Sequence, residues 1–233
     1  MTFRARIADA GRFALRPTFV AQPMAWGPAA ALALLALLVL DLALGLLAMG
    51  MAEGLDRLVP ILPEPIEEDI TLAEDAFLSL LLAPLLEELL FRGWLSGRLA
   101  ALHFALYGLA ALALFMASLF AGPGAATALA LAGVGAVIAG LVHWSRTRHR
   151  DREVPAWFIR HFGKLVWGST LLFGLIHLGN YEPLNHPLGV LVVMPQTIGG
   201  LLLAYTRTRL GLTAAVAHHS AFNVVALVLD YRW

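Results

Sequence analysis

Glu87 and Glu88 stand side by side in the apolar run from Ala76 to Leu95, with Arg92 four residues beyond Glu88. His177 falls in a second apolar run, and His219, with Asn223 four residues later, in a third. Ionisable groups within membrane-length apolar segments are costly to bury and by default mark function. These residue types support water activation. A carboxylate and an imidazole can take a proton from water, while a second imidazole and an amide can donate hydrogen bonds to the oxyanion of an attacked amide. Those are the parts a hydrolase needs.

The elements that must position them are helices in a bilayer. Of 233 residues, 60% are hydrophobic and 14% charged, against roughly a quarter charged in soluble domains. With ~20 residues per span, the chain divides into spans at about 28–51, 74–97, 104–120, 125–144, 165–180, 188–205 and 210–229. The expected fold is all-α, a polytopic transmembrane helical bundle of about seven spans in one membrane-embedded domain covering 1–233. The net charge is zero and basic residues form short patches at the ends of apolar runs, which excludes a nucleic-acid partner. With no cysteine there is no disulfide, thiolate metal site or cysteine nucleophile.

Arg4, Arg6, Arg12 and Arg16 precede the first apolar run, Pro28 to Met51. That run exceeds the ~7–15 residues of a secretory signal, so it reads as a retained span. The amino tail, the Arg98 region, 145–164 and 207–209 are basic, whereas 53–75 (with Glu64, Glu67, Glu68 and Asp69), 121–124 and 181–187 are acidic or neutral. This alternation follows the positive-inside rule and places the amino terminus in the cytoplasm, with Asp230 to Trp233 outside.

Depth decides whether the polar groups can meet. At ~1.5 Å per residue, Glu87 lies ~16 Å from Arg98, His177 ~18 Å from Leu165 and His219 ~14 Å from Leu210, all near the middle of a ~30 Å core. Helical spacing then assigns faces. Glu88 and Arg92, four apart, are expected to share one as an ion pair, leaving Glu87 on another azimuth. Pro84 cannot donate to the Leu80 carbonyl, so a local kink is expected to make room for water near Glu87. Phe173 shares a face with His177, and His219 with Asn223, while His218 turns away. Asp41, alone in the first span, is expected to face other helices.

Glu87-Glu88-x-x-x-Arg92, then Phe173-x-x-x-His177, then His219-x-x-x-Asn223 resembles the three ordered motifs of the CPBP family of intramembrane proteases. That family includes type II CAAX prenyl endopeptidases and bacteriocin-processing or immunity-associated proteins. The resemblance covers about 87–223, and Gly211-Leu212 also resembles the family pattern. It implies a protease-like core at about 74–229 and glutamate-dependent hydrolysis of a peptide bond without a covalent intermediate. By position, Glu87 is the general base, His177 holds or activates the water, and His219 and Asn223 are the oxyanion donors; Glu88, Arg92 and Phe173 support the site. The implied partners are the lipid bilayer and a membrane-associated or lipidated peptide substrate. The implied setting is the inner (plasma) membrane of a prokaryotic cell.

Two other readings stay open. Glu87, His177 and His219 could ligate zinc with water in the fourth position. However, the chain has no His-Glu-x-x-His motif and Asn223 is a poor zinc ligand, so no cofactor is expected and zinc is the disfavoured alternative. A non-enzymatic transporter or immunity-type membrane protein could use the same cluster as a proton or ligand site, although the paired repeats of many transporters are not evident.

Overall fold

A computed structural model describes residues 3–66, 69–150 and 153–230. Glu67 and Glu68 of the acidic loop, Arg152 of the basic loop and residues 231–233 lie outside the described residues. Among the described residues the fold is all-α, with one isolated bridge between Pro65 and Tyr181. Six helical segments are long and apolar enough to cross a membrane: Pro28–Asp56, Leu99–Leu119, Pro123–Thr147, Ala156–Asn180, Pro187–Leu210 and Leu212–Leu229. The chain is a multi-pass membrane protein built as a polytopic helical bundle.

The expected second span, 74–97, is the exception, because it is broken. Helix α3 (Leu72–Phe77) starts at a reciprocal cap, with the Glu74 amide donating to Thr71 Oγ1 and the Thr71 amide to Glu74 Oε2. A π turn over Leu78–Leu82 follows, then helix α4 (Ala83–Phe91) and a 3-10 turn, Gly93–Ser96. Arg92 has φ −129° and sits between α4 and that turn. The regular helix therefore stops at Phe91, one residue short of Arg92.

The chain forms two compact units, Met1–Glu88 with Phe162–Trp233, and Leu89–His161. In the first, α2 (Pro28–Asp56) begins with proline, whose missing amide is harmless in a first turn. Its buried residues, Ala30, Ala33, Leu37, Asp41, Gly45, Ala48 and Ala52, recur every three or four positions. This narrow, mostly small-residue stripe packs on α8 (Met194–Leu210) and α9 (Leu212–Asp230), as small residues allow in membranes. Helix α8 is buried over nearly its whole carboxyl half, including Tyr205 and Thr206. Gly211, at φ 99°, separates α8 from α9 in a conformation that side chains other than glycine rarely adopt.

The amino-terminal residues Phe3–Leu15 form helix α1, which an arginine-rich tail did not suggest. It is pinned to α8: Tyr205 donates from its hydroxyl to Asp9 at 2.9 Å and Arg209 Nε donates to the same carboxylate at 3.2 Å. Phe13 meets the Tyr205 ring edge-on at 5.4 Å. Burial alone would raise the Asp9 carboxyl, but the bonds from Tyr205 and Arg209, the Arg209 charge and a bond from Arg12 together hold it below its usual value.

The acidic loop leaves α2 through Asp56, whose Oδ1 accepts from the Ile61 and Leu62 amides at 2.7 and 2.8 Å. It then pairs with the turn after α7, the Ile66 amide reaching the Asn180 carbonyl and the Glu182 amide the Glu64 carbonyl, both at 2.9 Å. Helix α7 (Ala156–Ile176) starts well before the expected boundary at 165, with Arg160 and Lys164 within it. Charged residues with long aliphatic stems are good helix formers, and they can snorkel from a helix end to the interface.

In the second unit, α5 (Leu99–Leu119) and α6 (Pro123–Thr147) form a hairpin. A Cβ at Gly140 would come within 2.8 Å of the Tyr107 Cβ, so glycine sets how closely these helices approach. His103 Nδ1 and His143 Nε2 lie 3.1 Å apart on its exposed surface. Arg92 is buried in this unit, its guanidinium 5.7 Å from the Phe91 ring centre.

Candidate active site

Helix α9 delivers His219 to the glutamates of α4. His219 Nδ1 lies 3.1 Å from Glu88 Oε1, and Nε2 lies 3.9 Å from Glu87 Oε2. The first is a hydrogen bond; the second is too long for a direct one and leaves an ion-pair distance. A carboxylate only accepts, so Nδ1 carries a hydrogen toward Glu88. The two glutamates differ in access: the Glu88 side chain is 0% exposed and that of Glu87 is 25% exposed. Glu87 Oε2 has no hydrogen-bond partner among the described residues. Glu88, expected to turn away with Arg92, is thus the carboxylate that grips His219.

Asn223 lies one turn beyond His219 and donates from Nδ2 to the Ser79 carbonyl at 2.7 Å. The π turn explains why that carbonyl is available. The Ala83 amide bonds five residues back to the Leu78 carbonyl. In that register residue 84 would serve Ser79, but Pro84 has no amide hydrogen. The asparagine fills the vacancy with one of its two amide hydrogens and keeps the other.

His177 does not sit in mid-helix. Helix α7 ends at Ile176, and His177 opens the 3-10 turn His177–Asn180. Its Nδ1 donates to the Phe173 carbonyl at 2.7 Å. In the neutral ring this leaves Nε2 as an acceptor. Phe173 is buried between the histidines, its ring centre 4.7 Å from that of His177 and 6.0 Å from that of His219. It walls both rings. The structure thus brings His219 to Glu87 and Glu88, and Phe173 to both histidines, while no hydrogen bond joins His177 to Glu87.

Residues outside the motifs complete the surroundings. His218, expected to face away, is buried between Asp41 of α2 and Thr206 of α8, with Nε2 3.3 Å from Asp41 Oδ2 and Nδ1 3.0 Å from Thr206 Oγ1. Asp41 and His218 stood out in the sequence as lone polar groups, but their pairing spans 177 positions and no local pattern announces it. Ser79 gave no signal, because its contribution is a backbone carbonyl. Among the described residues, no three His, Asp or Glu side chains are grouped so as to hold a metal ion.

The family model for type II CAAX prenyl endopeptidase Rce1-like proteins matches residues 70–150 and 152–225. No curated protein and no solved structure matches the chain. The matched region contains both glutamates, the turn bearing His177 and the whole His219-to-Asn223 segment, and it covers more than half of the sequence. On that match, the chain belongs to the Rce1-like family of type II CAAX prenyl endopeptidases, a family of membrane proteases.

Proposed function

We propose that this protein is a glutamate-dependent intramembrane endopeptidase that hydrolyses a peptide bond in a membrane-associated or lipidated peptide. The observation that carries the reading is the convergence of two unlike carboxylates on His219, one sealed against Nδ1 and the other a part-exposed side chain whose buried Oε2, unpartnered among the described residues, lies beside Nε2. In this reading Glu87 takes a proton from a water molecule, and the oxygen attacks the scissile carbonyl carbon. The resulting oxyanion accepts hydrogen bonds from the second Asn223 amide hydrogen and from the Nε2–H of a doubly protonated His219, whose Nδ1–H stays on Glu88. When the carbon–nitrogen bond breaks, Glu87 returns its proton to the departing amine, so one water is consumed per bond cleaved. His177 Nε2 holds the water. Glu88 fixes the His219 ring, Phe173 walls it, and Arg92 has a supporting role.

The chemistry requires no metal or other cofactor in this reading. In this reading the alternation of basic and acidic loops supports a cytoplasmic amino terminus, and the family resemblance supports a prokaryotic inner membrane as the setting. The decisive experiment is cleavage of lipidated and unmodified test peptides by purified protein in nanodiscs, with and without chelator. Loss of cleavage in folded Glu87→Gln is expected, with no effect of chelator. Cleavage that persists in Glu87→Gln overturns the assignment of the base, and chelator sensitivity points instead to zinc. Substrate flux across vesicles without any cleavage identifies a transporter.

A further inference from the structure

Asp41 and His218 form a buried ionisable pair that the hydrolytic reading does not use. Their side chains are 2% and 0% exposed. An apolar pair of similar size would be simpler to bury in a membrane protein, so retention of a carboxylate and an imidazole calls for another benefit, such as a unique packing arrangement. The geometry supplies one. Asp41 stands on α2, Thr206 on α8 and His218 on α9, so a single imidazole ties α9 to both neighbours. His218 Nε2 lies 3.3 Å from Asp41 Oδ2 without hydrogen-bond geometry; beside an oxygen that can only accept, the neutral ring favours its hydrogen on Nε2, with Nδ1 accepting from the Thr206 hydroxyl. Helix α8 presents Gly199 to the carboxylate: a Cβ at that position would lie 3.4 Å from Asp41 Oδ1.

The next residue on α9 is His219. Adjacent helical residues point ~100° apart, so clamping His218 between α2 and α8 fixes the direction in which His219 leaves the helix. We infer that Asp41, His218 and Thr206 form a positioning unit that holds the rotation of α9 and thereby aims His219 at Glu87 and Glu88. The inference rests on the hydrolase reading for its catalytic consequence, but not for its geometry. His218 is a positioning residue, acting only through its neighbour. The groups that face it are Asp41 from α2 and Thr206 from α8, with His219 beside it on its own helix.

The test uses the full chain in detergent micelles with nitrogen-15-labelled histidine, comparing wild type with Asp41→Asn, His218→Gln and the double variant. Both single changes keep hydrogen-bonding groups, which guards against simple failure to fold; Asp41→Ala serves as the harsher comparison. In wild type the His218 resonances should report one tautomer, hydrogen on Nε2. Asp41→Asn should lose that signature and shift the ring resonances of His219. On a cleavable peptide, kcat per folded molecule should fall about tenfold with KM within about twofold, since the effect falls on transition-state alignment. Asp41→Ala should fall further, and the double variant should be no worse than the poorer single one. His219 resonances unmoved in Asp41→Asn overturn the proposal. So does a kcat per folded molecule that stays at the wild-type value while only the melting temperature drops. If wild-type protein cleaves no peptide, the hydrolase reading fails, and the His219 resonances alone still decide whether the positioning unit exists.

Discussion

Two consecutive histidines on α9 each meet a carboxylate from another helix, yet the pairs differ in how completely they are closed. His218 meets Asp41 in a fully closed setting, with its other nitrogen on Thr206. His219 meets Glu88 in an equally closed one, but its second nitrogen faces Glu87, whose side chain is 25% exposed and whose Oε2 lacks a hydrogen-bond partner among the described residues. A closed pair, with one ring nitrogen bonded to Thr206 and the other 3.3 Å from a buried carboxylate, has little left to do but hold its geometry. An open carboxylate beside a held imidazole has capacity to bind and deprotonate water. Burial and the remaining hydrogen-bond valence, more than residue type, separate support from chemistry here.

Substitutions in the two pairs can break or sharpen this contrast. The largest expected effect is on Glu87→Gln, which should lower kcat by about 10³-fold while the melting temperature, followed by intrinsic fluorescence, stays near that of wild type. A large drop in melting temperature with modest loss of rate would reverse the roles of the two pairs. Next, Asn223→Ala should cost about 10²-fold in kcat through the lost oxyanion donor, and should also expose the Ser79 carbonyl to faster local opening, measurable as hydrogen exchange in 78–84. Asp41→Ala should show the opposite balance to Glu87→Gln. Removing one partner of a buried pair costs about 3–5 kcal/mol, visible in denaturant unfolding, and the accompanying loss of rate should be smaller than that of Glu87→Gln.

The smallest effect belongs to Asp9, whose links to Tyr205 and Arg209 lie at the α1 surface and provide a control outside both pairs. Its carboxyl is held below the unfolded value of 3.8. The stabilisation is therefore present above that pH and is lost as the pH falls through the folded value. Asp9→Asn should cost about 1 kcal/mol or less at neutral pH, and the difference from wild type should vanish in acid unfolding curves below that range.

Much of this contrast was legible in the sequence. Composition dictated a membrane helical bundle, and the motif spacing selected His219 as a neighbour of the glutamates. Helical arithmetic reaches only as far as the regular helix. Reading Glu88 with Arg92 rests on continuous helix from 88 to 92, whereas α4 ends at Phe91, and spacing gives no sign that Glu88 also holds His219. His177 was placed in mid-span for the same reason, whereas it opens a 3-10 turn at the end of α7. Pro84 did foretell an interruption, but its form, a π turn closed by Asn223, depends on a partner 144 positions away. Asp41 and His218 were visible as isolated polar residues, and only tertiary packing reveals that they are one unit.

The π turn at Leu78–Leu82 also has a bearing on tolerance to insertion and deletion. It accommodates one residue more than a regular helix would over the same rise, so it acts as a phase shifter ahead of the two glutamates. Winding the same residues as regular helix would turn Glu87 and Glu88 by about 100° relative to α3, whereas deleting one of Leu80, Leu81 or Leu82 would close the turn to regular helix and leave both glutamates facing as they do. Apolar length would hardly change, and insertion into the bilayer would proceed as before. Substitution among these leucines is thus a matter of fit, whereas the widened turn itself sets the angle at which both carboxylates face His219.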